Sequence, residues 1–194
     1  MLHLLAPTDA SWVGTVEADL DRLLSDHAHC EIKAAQSALS LVGRYGGEHP
    51  EMVEPLAALA REESAHFREV HVRLAARGAK LGPPNVDAYV KALRDAARQD
   101  HRDFPILLDR LLISALIEAR SCERFKLLSE RLSSHDLRSF YRELMVSEAR
   151  HFRLFADLAE ACFGESDARE RLRTLAEREA AVAMMLPLGP TVHG

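Results

Sequence analysis

Apolar residues recur at steps of three and four along most of the chain, and no stretch keeps the period-two alternation of a strand. The pattern predicts a short N-terminal helical segment, then a long amphipathic helix from about Ser25 to Tyr45, stopped by Gly46 and Gly47. A second long helix is expected from about Pro50 to Ala76, because proline suits a first turn and Gly78 supplies a stop. After the linker GAKLGPPNVD comes a short helix to about Arg98. A third long helix should run from near Phe104 to Leu132. A fourth, capped by Ser133 or Ser134, should reach Phe163 and stop at Gly164. A fifth helix, from Ser166 to about Met184, precedes the tail PLGPTVHG.

Four long helices in two hairpins, with a long crossover between the second and third, describe an all-α, ferritin-like four-helix bundle. The N-terminal segment, the crossover helix and the C-terminal helix are additions to it. A chain of 194 residues makes this one domain, 1–194. Composition agrees with a soluble globular protein, 47% hydrophobic and 28% charged. No apolar run reaches the roughly 20 residues that span a bilayer. The start MLHLLAPTDASW has neither a basic region nor a long apolar core, so no signal peptide is expected. Cys30, Cys122 and Cys162 are odd in number and lack a CxxC spacing, which fits reduced thiols in a cytoplasmic protein. A net charge of -5 gives no global attraction to nucleic acid, so a polyanion would need a local basic patch.

The words ESAHFR (Glu63 to Arg68) and EARHFR (Glu148 to Arg153) repeat a Glu-x-x-His. With 18 Glu and 10 His in 194 residues, about one such match arises by chance, so number alone says little. Position says more. Glu63 and His66 share a helix face with Leu56, Leu59, Ala60, Phe67 and Val70; Glu148 and His151 share one with Tyr141, Leu144, Met145, Phe152 and Phe155. Both faces are apolar, where a carboxylate and an imidazole are costly unless paired or bound to metal.

Each hairpin should bring one further inward Glu. On the first long helix, Glu31 stacks with Leu24, Ala28, Ala34, Ala35 and Ala38. The third offers Glu118 and Glu123. Glu118 stacks with Leu111, Ser114, Ala115, Cys122 and Phe125, whereas Glu123 shares an outer face with Arg120, Lys126 and Glu130. Spacing agrees: Glu31 to Glu63 is 32 residues and Glu118 to Glu148 is 30, against 25 from Glu123. Glu118 is therefore the choice. One Glu or Glu-x-x-His per helix is the donor set of di-iron or di-manganese carboxylate sites, and hard carboxylates with one imidazole per metal suit iron or manganese. Glu31 and His66 would be terminal on one metal, Glu118 and His151 on the other, with Glu63 and Glu148 bridging. Such a set also serves di-iron oxidases or peroxidases of small molecules and non-enzymatic iron-binding proteins.

The words around these residues select among the chemistries. SDHAHCEIKAAQSALSL, REESAHFREV, LIEARSCERFKLL and SEARHFRLF closely resemble the bacterial family of tRNA 2-methylthio-N6-isopentenyladenosine hydroxylases, over about Leu5 to Leu186. IEARSCERF is the most specific stretch. The resemblance implies a non-haem di-iron monooxygenase, with two iron ions rather than manganese. Its partners would be O2, an external electron donor of reductase or ferredoxin type, and tRNA. The reaction it implies is hydroxylation of the isopentenyl group on the adenosine beside the anticodon. No catalytic residue beyond the six metal ligands is implied. Phe67, Phe125, Phe152, Leu59 and Leu144 either line a pocket for the prenyl chain or pack as ordinary core.

His27, one turn before Glu31, either orders that ligand or is a core histidine. His29, His71, His101 and His135 read as exposed or structural. Arg68 and Arg153 follow a ligand His by two, turn away from the metals and are expected to pair with carboxylates of neighbouring helices. Arg68, Arg73, Arg77, Lys80, Arg94, Arg98 and Arg102 offer phosphate contacts at one end of the bundle, or form a solvated helix face.

Overall fold

Helix α1 (Trp12–Ala18) is followed almost at once by α2 (Leu20–Tyr45), whose start is fixed by Asp19 accepting a hydrogen bond from the Arg22 N–H. The computed structural model describes residues 1–100 and 104–193, and every regular element among them is helical. Helix α2 therefore begins five residues before the expected Ser25, because Asp19 is the capping side chain. At its other end the Gly46 N–H closes onto Val42 O. A Cβ on Gly46 would sit 2.7 Å from that oxygen and 2.9 Å from Val53 Cγ2, so only glycine allows the chain to turn this tightly. Pro50–Met52 is a single 3-10 turn that leads into α3 (Val53–Ala76).

The described residues fall into two compact units. One comprises residues 15–86 and 189–192, and its frame is the α2–α3 hairpin. Leu24, Ala28, Ala35, Ala38 and Leu41 of α2, and Leu56, Leu59, Ala60, Val70 and Leu74 of α3, are buried, as their periodicity predicts. The loop after α3 is held on α2, where Gly82 N–H donates to Ser25 Oγ (2.9 Å) and Lys33 Nζ to Asn85 O (3.0 Å). His29 Nε2 lies 2.8 Å from Gly82 O, which gives that histidine a structural task.

The other unit comprises residues 1–14, 87–100, 104–188 and 193 of those described. It contains α4 (Ala88–Ala97), α5 (Ile106–Arg131), α6 (His135–Phe163) and α7 (Glu165–Met185). Ser134 caps α6 by accepting from the Leu137 N–H. Gly164 adopts φ +89°, a left-handed conformation that turns α6 directly into α7. Helix α7 docks through two buried arginine pairs. Arg171 donates to both oxygens of Asp109 (2.6 and 3.0 Å) and to Ala97 O (3.2 Å). Arg120 of α5 donates through Nε (2.9 Å) and Nη2 (2.7 Å) to Glu179, which also accepts from Tyr89 Oη (2.8 Å). Burial, followed by the Glu179 charge, pushes the Tyr89 phenol well above its ordinary pKa.

One expected face is corrected by these contacts. Arg120 was placed with Glu123 on an outer face, yet it is only 1% exposed, because α7 and the N-terminal segment cover it.

Candidate metal centre

On the α2–α3 hairpin, three ionisable groups converge in an apolar wall. Glu31, Glu63 and His66 are all buried, and each brings a donor atom within 4.8 Å of the others. The three-residue step of Glu63 and His66 turns both to one side of α3, with His66 Nδ1 3.0 Å from Glu63 Oε2. The same Nδ1 lies 3.9 Å from Glu31 Oε2. The other oxygen of Glu31 is engaged by His27, whose Nε2 is 2.6 Å from Oε1. His27 is fully buried, so the structure favours the ordering role over a rim histidine. Behind His66, Nε2 lies 3.8 Å from Glu62 Oε1. That contact went unread in the sequence, although its signal is simple: Glu62 stands one turn before the histidine.

The α5–α6 hairpin repeats the arrangement. Glu118, Glu148 and His151 are buried, with Glu118 and His151 offering donor atoms within 4.8 Å and Glu148 Oε2 3.9 Å from His151 Nδ1. In both hairpins it is Nδ1 that faces the carboxylate three residues earlier. Glu123 does something else. It accepts from Thr8 N–H (2.7 Å), Thr8 Oγ1 (2.6 Å) and Arg120 Nη1 (3.0 Å), so it anchors the N-terminal segment. Cys122, beside these residues, has its thiol pushed up to about 12, first by burial and then by the Glu148 charge.

The chemistry of the donors decides what they fit. Glu31 and Glu63 bring two carboxylates into the apolar wall beside the imidazoles of His66 and His27, and Glu118 and Glu148 bring two beside His151, an arrangement that is costly without a compensating positive charge. A cation satisfies both. Carboxylates with one imidazole and no inward thiolate pair fit a hard or borderline metal ion. The buried Glu/His clusters are thus compatible with a metal site.

Residues around the clusters divide. Leu59 and Leu144 are buried beside them; Phe125 is committed to the core against Tyr141, with ring centroids 5.2 Å apart. Phe67 is half-buried against His71. Arg68 and Arg153 are exposed, and neither makes an ion pair among those described, against the expected pairing with neighbouring carboxylates. Arg73 pairs with Glu69, Arg77 with Asp21 (2.5 Å) and Arg98 with Asp95, which marks that group chiefly as a solvated face. His135 is exposed, and His101 and Arg102 lie outside the described residues.

The model of the tRNA-(ms2io6A)-hydroxylase (MiaE) family matches residues 1–194. A tRNA 2-(methylsulfanyl)-N(6)-isopentenyladenosine(37) hydroxylase of Pseudomonas putida is 40% identical over 162 residues, 83% of this chain and 77% of its own. The enzyme of the same description from Salmonella typhimurium is 31% identical, over 91% of this chain and 82% of its own. Among solved structures, a Synechococcus protein with aldehyde deformylating oxygenase activity superposes with a TM-score of 0.88 at 39% identity, covering 98% of this chain and 95% of that one. The fold is the ferritin-like all-α fold of such oxygenases.

Proposed function

The chain belongs to the tRNA-(ms2io6A)-hydroxylase family, and from that membership we propose that it is a di-iron monooxygenase that hydroxylates the isopentenyl group of 2-methylthio-N6-isopentenyladenosine in tRNA. What carries the reading is the match of that membership with one buried Glu-x-x-His per hairpin, each beside a further inward Glu. Glu31, Glu63 and His66 on one hairpin, with Glu118, Glu148 and His151 on the other, are the proposed ligands of two metal ions, and the whole of 1–194 is read as one catalytic domain.

Bound iron would supply activation of O2, with two electrons from an external donor. In the overall balance one oxygen atom enters an allylic C–H bond as C–OH, and the other leaves as water with two protons. The chain's own residues prepare the place for this. His27 holds Glu31 Oε1, which leaves Oε2 on the side of His66. Glu62 stands behind His66, with Oε1 3.8 Å from Nε2, while Nδ1 is on the side of Glu63. Leu144 and Phe155 are buried on the donor-bearing helix α6 and would give the prenyl chain apolar surroundings beside Glu148 and His151. No described helix is long and apolar enough to cross a membrane, and none of the three cysteines is in a disulfide among the described residues, which supports work on tRNA in a reducing compartment.

The test is direct. Iron-loaded protein is incubated with O2, a reductant and prenylated tRNA, and the nucleosides are weighed. The expected result is one added oxygen on the prenylated adenosine; its absence refutes the proposal. The likeness to a protein with aldehyde deformylating oxygenase activity favours a second reading, oxidation of a small molecule. Turnover of an aldehyde with none of the tRNA would select it.

A further inference from the structure

Residues Met1 to Thr8 form a strap lying on α5 and α6. Its inner end is clamped: Thr8 donates twice to Glu123, and Arg120 Nη2 donates to Ala6 O (2.9 Å). Its outer end is not packed in the same way. A cavity of about 280 Å3 opens beneath it, between Met1, Leu4 and Pro7 of the strap and Lys126, Leu127 and Glu130 of α5. Leu2 (φ 48°) and His3 (φ 65°) both occupy the left-handed backbone region that side chains other than glycine rarely adopt. Two such residues in a row persist only where something holds them.

What His3 gains there is a ring contact. Its imidazole stacks on Phe152, with centroids 5.8 Å apart and planes 25° from parallel. His3 is exposed and Phe152 is 5% exposed, so the imidazole is the outer layer and the benzyl ring the inner one. Phe152 follows His151 directly and stands one turn beyond Glu148, at the edge of the donor face of α6. The pairing is therefore a flat aromatic ring, held over an aromatic platform beside the carboxylate–histidine cluster, by a backbone that gains by letting go.

We propose that Phe152 is the stacking platform for the substrate's adenine ring and that His3 keeps its place in the free protein. The strap swings out from its clamp at Ala6 and Thr8, and the purine takes the position of the imidazole. Single-stranded RNA bases are recognised in this way, by splaying out onto aromatic side chains. A purine offers the platform more π surface than an imidazole does, and its arrival releases Leu2 and His3 from their left-handed backbone. The inference rests on the reading of the chain as a tRNA hydroxylase, and it adds the residue that receives the base and the residue that yields to it.

The experiment uses the full-length, iron-loaded protein and a fluorescein-labelled anticodon stem-loop carrying the prenylated adenosine. Its Kd is read by anisotropy without O2, and kcat and KM are read separately by nucleoside mass. His3→Ala should lower Kd and KM about threefold and leave kcat unchanged, since it removes the competing ring. Phe152→Leu should raise both constants about tenfold, and Phe152→Trp should restore them. Unchanged or weaker binding by His3→Ala overturns the proposal, and that surface substitution decides the matter even if Phe152→Leu fails to fold. A purely structural His3 would move the melting temperature and not Kd. If the wild type binds the stem-loop but adds no oxygen, the functional reading fails while the stacking site is still measured by binding alone.

Discussion

Replacing Glu123 and Glu118 separately by alanine separates two carboxylates that stand five residues apart on α5 and do unrelated things. Glu123→Ala removes an ionised acceptor from Thr8 N–H, Thr8 Oγ1 and Arg120 Nη1, at 2.7, 2.6 and 3.0 Å. Arg120 keeps two bonds to Glu179, so it is not left bare. The loss falls on Thr8. Two hydrogen bonds to a charged group contribute about 3 kcal/mol in total, and Thr8 is only half-buried, so water recovers part of it. A net cost of about 2 kcal/mol should lower the melting temperature by roughly 4–8 °C for a chain of this length. Metal content should stay at the wild-type level. Glu118→Ala should do the reverse, with loss of bound iron and a melting curve governed by how much metal remains. Calorimetry and elemental analysis of iron-reconstituted protein read both quantities on one sample. Iron lost from the Glu123 variant and kept by the Glu118 variant would refute the assignment of α5.

Other substitutions test the remaining links. His27→Ala frees Glu31 Oε1 and should weaken metal affinity about 10- to 100-fold without changing metal stoichiometry, as measured by competition with a chelator. Arg171→Ala leaves Asp109 buried without its two strong bonds, and should cost about 3–5 kcal/mol in denaturant unfolding while iron binds as before. The Cys122 thiol, raised from 9.0 to about 12 by burial first and Glu148 second, should resist iodoacetamide at pH 8 until the protein is unfolded. Because the folded thiol holds its proton more tightly than the unfolded one, its contribution to stability is complete below about pH 9. It is lost as pH rises toward 12, so unfolding should become easier over that window.

Helix content and the inward donors were legible because both depend on local period. Glu31, Glu63, His66, Glu118, Glu148 and His151 each sit in a run of apolar residues three and four apart, and all six are buried. The start of α2 lies five residues before the expected Ser25, because only the backbone shows that Asp19 accepts the capping hydrogen bond from Arg22 N–H. Arg120 reads as an outer-face residue, and Asp109, Arg171 and Glu179 could not be read at all. Their partners lie 59 and 62 residues away in the chain, and a charged residue looks solvated until the element that covers it is known. The strap is the clearest case: nothing in MLHLLAPT announces that Thr8 will meet Glu123, 115 positions later. Periodicity finds the faces that turn inward, and it is blind to faces that become inward through a distant segment.

Helix α5 has an evolutionary consequence of its own. Seven of the eight residues from Glu118 to Phe125 are buried, although the stretch includes four charged side chains. An ordinary surface helix accumulates neutral changes on its wet side, but this octapeptide has almost no wet side. Glu118 is turned to the histidine cluster, Arg120 to α7, Cys122 to Met145 O, Arg124 to the Trp12 ring and Phe125 to Tyr141. Each letter answers to a different neighbour, so drift in one cannot be absorbed by the next. Across divergent lineages these eight positions should change most slowly, and a search seeded with them alone should retrieve the family.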